Sequence, residues 1–220
     1  MAKHGKKYLE SKKLIDSSKL YSVAEAVEMV KKASFTKFVP TVEIAIKTFA
    51  NPKYNDQMIR STTILPHGTG KTKRIAVFSA EDVAGADIVG TETLIADIKA
   101  GKFDFDILIT TPEHIRDLAP IAKQLGPKGL MPSPKAGTVV MNLAQAVEEI
   151  KKGKIEFKLD KTGNIHAPVG KASFDDKQLE ENITSFIKAV EDSRPTGVKG
   201  KLIKKIVLTT SMGPSVQIAQ

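Results

Sequence analysis

The 220-residue chain has no cysteine and no tryptophan, and only 5% of it is aromatic. Without cysteine there is no disulfide, no thiolate-bound metal and no cysteine nucleophile. A membrane-surface protein would favour a basic amphipathic helix with bulky apolar anchors, and tryptophan is missing for that role. No stretch approaches the roughly 20 apolar residues of a membrane span. The opening MAKHGKKYLESKK (1–13) is polar and basic and has no apolar core of a secretory signal. Glu10 and the scarcity of serine there argue against a transit peptide. His4, His67, His114 and His166 are scattered without metal-ligand spacing, so neither metal nor cofactor is expected. No Ser/His/Asp set has catalytic spacing. The carboxylate pairs Asp104/Asp106 and Glu148/Glu149 read as solvated surface. No catalytic residue emerges, and the chain is not expected to be an enzyme.

What is present is positive charge. The formal net charge is +9 and the pI about 9.5, with 41% hydrophobic residues to build a core. Such an excess points to a polyanionic partner, most often nucleic acid. The charge is placed unevenly: residues 1–66 carry +6, residues 158–220 carry +3, and residues 67–157 are balanced with 12 charges of each sign.

One string suggests a phosphate-binding enzyme. Residues 67–72 read HGTGKT, but a phosphate-cradling loop needs G-x-x-x-x-G-K-[ST] followed by a helix. Leu65 stands where the first glycine belongs, Pro66 follows it, and RIAVFSA (74–80) after the loop reads as a strand. The string is expected to be a flexible, basic connector.

The pattern of elements divides the chain in the same way as the charge. Residues 22–33 predict a helix with a Ser22/Glu25 capping box. Residues 41–50, 58–65, 154–160, 164–169, 201–210 and 214–219 predict strands, several of them strictly alternating. A long amphipathic helix is expected over 175–191. Between these flanks, strands at 74–80, 106–110 and 138–140 alternate with helices at 91–101, 111–126 and 142–153, which means a parallel α/β sheet. Thr111 and Asn142 are the expected caps of the last two helices. The fold class is α/β with two domains: a discontinuous α+β split sandwich, residues 1–66 plus 158–220, and an inserted Rossmann-like domain, residues 67–157. Residues 1–66 are expected to supply one helix and two strands. The crossings, with Pro66, Gly68, Gly70 and Lys158, are the expected hinge.

Four stretches carry binding chemistry. LTTSMGPSV (208–216) follows a strand; its hydroxyls can meet a ribose 2′-OH, Gly213 permits close backbone approach, and Met212 offers a face to a base or sugar. The plainer alternative is a strand end with a turn. In KFVPTVE (37–43), Lys37, Thr41 and Glu43 face outward if Val42 and Ile44 point in, and Phe38 either stacks on a base or caps the sheet. NIHAPVGKASF (164–174) groups His166, Lys171 and Ser173. LGPKGLMPSPKAGTV (125–139), with Lys128 and Lys135 and no acid, is a surface loop or a long βα connection.

LPHGTGK (65–71), QLGPKGLMPSPKAGTV (124–139), TGNIHAPVGKASF (162–174) and TTSMGP (209–214) occur in order, at spacings that resemble the ribosomal protein L-one family, bacterial type. The resemblance covers nearly the whole chain. It implies a non-enzymatic protein of the mobile stalk beside the tRNA exit site of the large ribosomal subunit. Its partners would be large-subunit ribosomal RNA, tRNA at the exit site and, as in many bacterial members, its own messenger RNA, whose translation it represses. It would be a cytoplasmic, ribosome-bound protein, with no membrane partner and monomeric when free. Carried over by position, the RNA-binding residues are Lys37, Phe38, Thr41, Glu43, Thr209, Ser211, Met212 and Gly213, with His166 and Lys171 on the same face and Lys128 and Lys135 toward tRNA. Val39 and Pro40 replace two acids common in the family, and Ser211 stands where threonine is common.

Overall fold

The computed structural model describes residues 5–16, 18–79 and 83–219; His4 and the expected strand end at Ala80 lie outside them. The chain forms two compact units, residues 1–70 with 155–220, and residues 71–154.

In the first unit, helix α1 is Lys6–Lys13 and α2 is Val23–Lys32. Strand β1 is Thr41–Thr48 and β2 is Arg60–Ile64. α2 begins where the capping box predicts: the Glu25 N–H donates to Ser22 Oγ at 3.3 Å, and the Ser22 N–H donates to Glu25 Oε2 at 3.0 Å. α1 was not expected, because KKYLESKK has no apolar stripe to signal it. Residues 5–66 therefore hold two helices and two strands, not one helix.

The second unit is a parallel three-stranded sheet. Its strands are β3 (Ile75–Phe78), β4 (Ile88–Val89) and β5 (Ile107–Thr110), in the order β4-β3-β5. Helix α3 is Glu92–Lys99, α4 is Ala122–Lys128 and α5 is Leu143–Lys151. β3 is buried at every position because both its faces are covered. Ala76 and Phe78 pack with Leu94, Ile98 and Leu125. Ile75 and Val77 pack with Val147 and Ile150 on the other side. Asn142 caps α5 as expected, accepting from the Gln145 N–H at 3.2 Å.

Two expectations for this unit fail. Residues 111–126 are not one helix: Arg116–Ile121 is a 3₁₀ turn, and α4 starts only at Ala122. Pro120 has no N–H to donate, and its ring opposes an α-helical turn before it. Thr111 caps nothing; its hydroxyl is buried without a partner. The expected strand at 138–140 shrinks to one parallel bridge, Thr110 with Val139.

The chain then returns to the first unit. β6 is Lys154–Lys158, β7 is Asn164–Lys171, α6 is Asp176–Asp192, β8 is Ile203–Thr210 and β9 is Val216–Ile218. The main sheet runs β7-β1-β8-β9, antiparallel throughout, and β2 pairs with β6 in a separate ribbon. N- and C-terminal strands thus interleave in one sheet. Helices α2 and α6 cover one face, α2 lying on β8 and β9 and α6 on β7. Val42, Ile44, Ile46, Ile165, Val169, Ile206 and Leu208 point into that core, with Val27, Val30, Ile183 and Phe186. Phe186 also meets Phe157 of β6 edge to face at 5.3 Å, an arrangement contributing about 1 kcal/mol beyond its buried area. The alternate residues of β1, Thr41, Glu43, Ala45 and Lys47, lie on the opposite face, and none of them is buried. That open face positions the candidate site.

Candidate nucleic-acid interface

β1 begins at the edge of the sheet where β7 and β8 end: Thr41 pairs with Lys171, and Val42 with Thr210. Thr41 is the hub of this edge. Lys171 Nζ donates to Thr41 Oγ1 at 2.8 Å. The Ser211 N–H donates to the Thr41 carbonyl at 3.0 Å, and the Thr41 N–H donates to Ser211 Oγ at 3.3 Å. TTSMGP then folds into a turn closed on itself. The Gly213 N–H donates to the Thr210 carbonyl at 2.8 Å. The Thr209 hydroxyl reaches the carbonyls of Thr210 at 3.1 Å and Gly213 at 3.2 Å.

Met212 sits in that turn with φ 66°, the one positive-φ residue besides glycines among those described. The residue is 69% exposed. Left-handed backbone costs an L residue about 1–2 kcal/mol, and a large apolar group in water contributes nothing to folding. The turn thus carries a large apolar side chain in water on a backbone conformation that glycine would adopt more readily.

Gly213 is required for a reason that lies inside the protein. A Cβ there would overlap Thr210 Oγ1, which is itself buried without a partner. Gly213→Ala should therefore destabilise the turn by about 2 kcal/mol. Adding Thr210→Ala removes the overlapping atom and should restore most of the loss. Thermal melts of the two variants check this; failure of the double variant to recover sinks the explanation.

The sequence-read positions mostly gather here. Thr41, Lys171, Thr209, Ser211, Met212 and Gly213 meet at the strand edge. Glu43 lies next along the open face, between Thr209 and Pro168 in register. Lys37 and Phe38 are exposed just before β1, with the Phe38 carbonyl accepting from the Thr36 hydroxyl at 2.9 Å. His166 is not at the edge. It pairs with Ala45 in mid-strand, and its ring lies 3.7 Å from Asp160 Oδ2. Burial pushes the Asp160 carboxyl up. Hydrogen bonds from the Asn164 N–H, the Thr162 hydroxyl and the Thr162 N–H outweigh that and hold it down at about 2. His166 therefore faces a standing negative charge.

Lys128 and Lys135 belong to the second unit. Lys128 ends α4 with its Nζ 3.2 Å from the centre of the Phe103 ring, a cation–π contact. Lys135 is exposed in the 3₁₀ turn Pro134–Ala136.

HGTG is not the flexible connector that its composition suggested. The His67 N–H donates to Asn182 Oδ1 at 3.0 Å, and Asn182 Nδ2 donates to the carbonyls of Gly68 at 3.0 Å and Val169 at 2.8 Å. A Cβ on Gly70, at φ 67°, would fall 2.8 Å from the Phe174 ring and 3.0 Å from Lys171 Cγ. The turn is packed beneath the lysine that reaches Thr41. Pro66, Gly68 and Gly70 all lie in the first unit, and Lys158 ends the paired strand β6. Strand β3, not a helix, follows the string.

Sequence reasoning did not bring Lys47 and Lys205 together, paired across the same open face, because the neighbour of β1 could not be read from local pattern. It also missed Asn182, whose signal was available: one amide within the apolar stripe Leu179, Ile183, Phe186 of α6. Among the described residues no cluster of three His, Asp or Glu side chains could hold a metal, and no helix is long and apolar enough to cross a membrane.

The class of protein is a ribosomal constituent that binds RNA and catalyses no reaction. More particularly, the model of the Ribosomal protein L1p/L10e family matches residues 30–214, and the chain belongs to that family. Membership implies a structural, ribosomal-RNA-binding role in the large subunit.

Proposed function

We propose that the strand edge around Thr41 and Met212 is the face that binds the stalk ribosomal RNA of the large subunit. The observation that carries this is Met212, strained and exposed, on a turn that Thr41, Ser211 and Thr209 hold rigid. Hydroxyls and backbone groups read sugars and shape, while the lysines on and beside the open face neutralise phosphates. Glu43 accepts from a base amine or a 2′-OH. The protein acts in the cytoplasm on the ribosome and is monomeric when free.

The inserted unit swings on the two joins and assists release of deacylated tRNA from the exit site, with Lys128 and Lys135 toward that tRNA. Because Asn182 and Phe174 grip residues 67–70, the first join narrows to residues 71–73. The second lies near Gly153, the first residue after α5 and its cap. The same face represses translation of the protein's own operon by holding a mimic of the ribosomal site in the messenger.

The test is binding to a stalk RNA fragment, a leader transcript and a scrambled RNA of equal length across a salt series. Specific binding leaves the stalk fragment preferred at every salt concentration, whereas a merely basic surface loses all three RNAs together as salt rises. Absence of any preference overturns the assignment. A leader transcript that binds no better than the scrambled RNA removes the repressor role alone.

A further inference from the structure

A shallow, open cleft of about 600 Å³ lies beside Met212. Its walls are residues 5–8, at the start of α1, together with Phe35, Met212 and Gly213. No acid lines it. Tyr8 and Phe35 are half-buried, and Lys6 and Lys7 are exposed. Nothing in the pattern of α1 advertised a role for it.

Two aromatic residues and a methionine line it together with two lysines, the residue types of a base-stacking site with phosphate partners. Every nucleobase has an apolar π-face, and every base in RNA is followed by a phosphate. An apolar peptide would gain nothing from the lysines. The charge of the whole segment agrees, since residues 1–66 carry +6. The cleft is also continuous with the strand edge, because Met212 and Gly213 belong to both.

We propose that this cleft receives one unpaired nucleobase of the bound RNA, stacked against Tyr8, Phe35 and Met212, with Lys6 and Lys7 on the flanking phosphates. The inference rests on the RNA-binding reading given above and deepens it. It makes α1 part of the interface and explains why an exposed methionine is held in an unfavourable backbone conformation: the turn presents it to the base.

The experiment uses the full chain and a set of stalk RNA fragments, each with one unpaired nucleotide made abasic. At one position, removal of the base should weaken binding to the wild-type protein roughly tenfold. That same removal should cost Tyr8→Leu or Phe35→Leu little more, since the stack is already lost. Tyr8→Phe keeps the ring and should retain the wild-type response, which separates stacking from damage to α1. If stalk RNA is preferred but no abasic position couples to Tyr8 or Phe35, the cleft is not a base site, and the strand-edge reading stands without it. If stalk RNA is not preferred at all, both readings fall.

Discussion

Met212→Gly should fold better and bind worse. Glycine enters the left-handed region freely, so the substitution relieves the strain at φ 66° and should raise stability by about 1 kcal/mol. The side chain is exposed, so little packing is lost. The hydrogen bonds of the turn run through Thr209, Thr210, Ser211, Gly213 and Thr41, none through the Met212 side chain. Affinity for stalk RNA should nonetheless fall roughly thirtyfold, the loss expected of a central contact residue. Met212→Asp should lose more, because it adds a negative charge facing phosphates. Denaturant melts and a binding isotherm decide the matter. A glycine variant that is stabler and binds as wild type would show that the methionine is incidental.

The second large effect lies inside the first unit. Asn182→Ala should destabilise the first unit by about 3 kcal/mol. The amide is wholly buried and makes three hydrogen bonds to backbone groups of His67, Gly68 and Val169. Truncation leaves those groups without their partner in a place water cannot readily reach, and such orphaned groups cost about 1–3 kcal/mol each. A leucine of similar size should fare no better, since it fills the space but satisfies nothing. Hydrogen exchange localises the effect: protection should fall in β7, in α6 and at His67, while β3 and β5 of the second unit keep theirs. A loss below about 1 kcal/mol would mean that the turn at 67–70 is held by Phe174 and its neighbours instead. The variant should also loosen the first join, because residues 67–70 would be freed from α6.

These two residues mark the boundary between what was legible and what was not. Met212 was singled out from its motif, but nothing in the order of residues announces a left-handed methionine. Asn182 was missed although it is an anomaly, a polar residue in an apolar stripe, and its partners lie more than a hundred residues upstream as well as on the adjacent strand. HGTGKT was rightly refused as a phosphate loop on its own chemistry. Its packing was misread, because a glycine-rich string looks flexible until the ring of Phe174 is placed against it.

The sequence by itself determined the elements whose signals are local. The alternation of Val42, Ile44 and Ile46 sets one strand face, the Ser22/Glu25 box starts α2, and Asn142 starts α5, each through interactions spanning a few residues. It also determined the uneven charge and the family motifs. It failed locally where competing signals met, at 111–121, where a helical pattern ran into Pro120. Only the tertiary structure decided that β1 lies between β7 and β8, and therefore which residues share the open face. Strand pairing depends on backbone hydrogen bonds between segments far apart in the chain, and these bonds are nearly indifferent to side-chain identity. Partner and register are settled only when the whole core closes. The strand edge, the turn that carries Met212 and the cleft beside it are consequences of that closure.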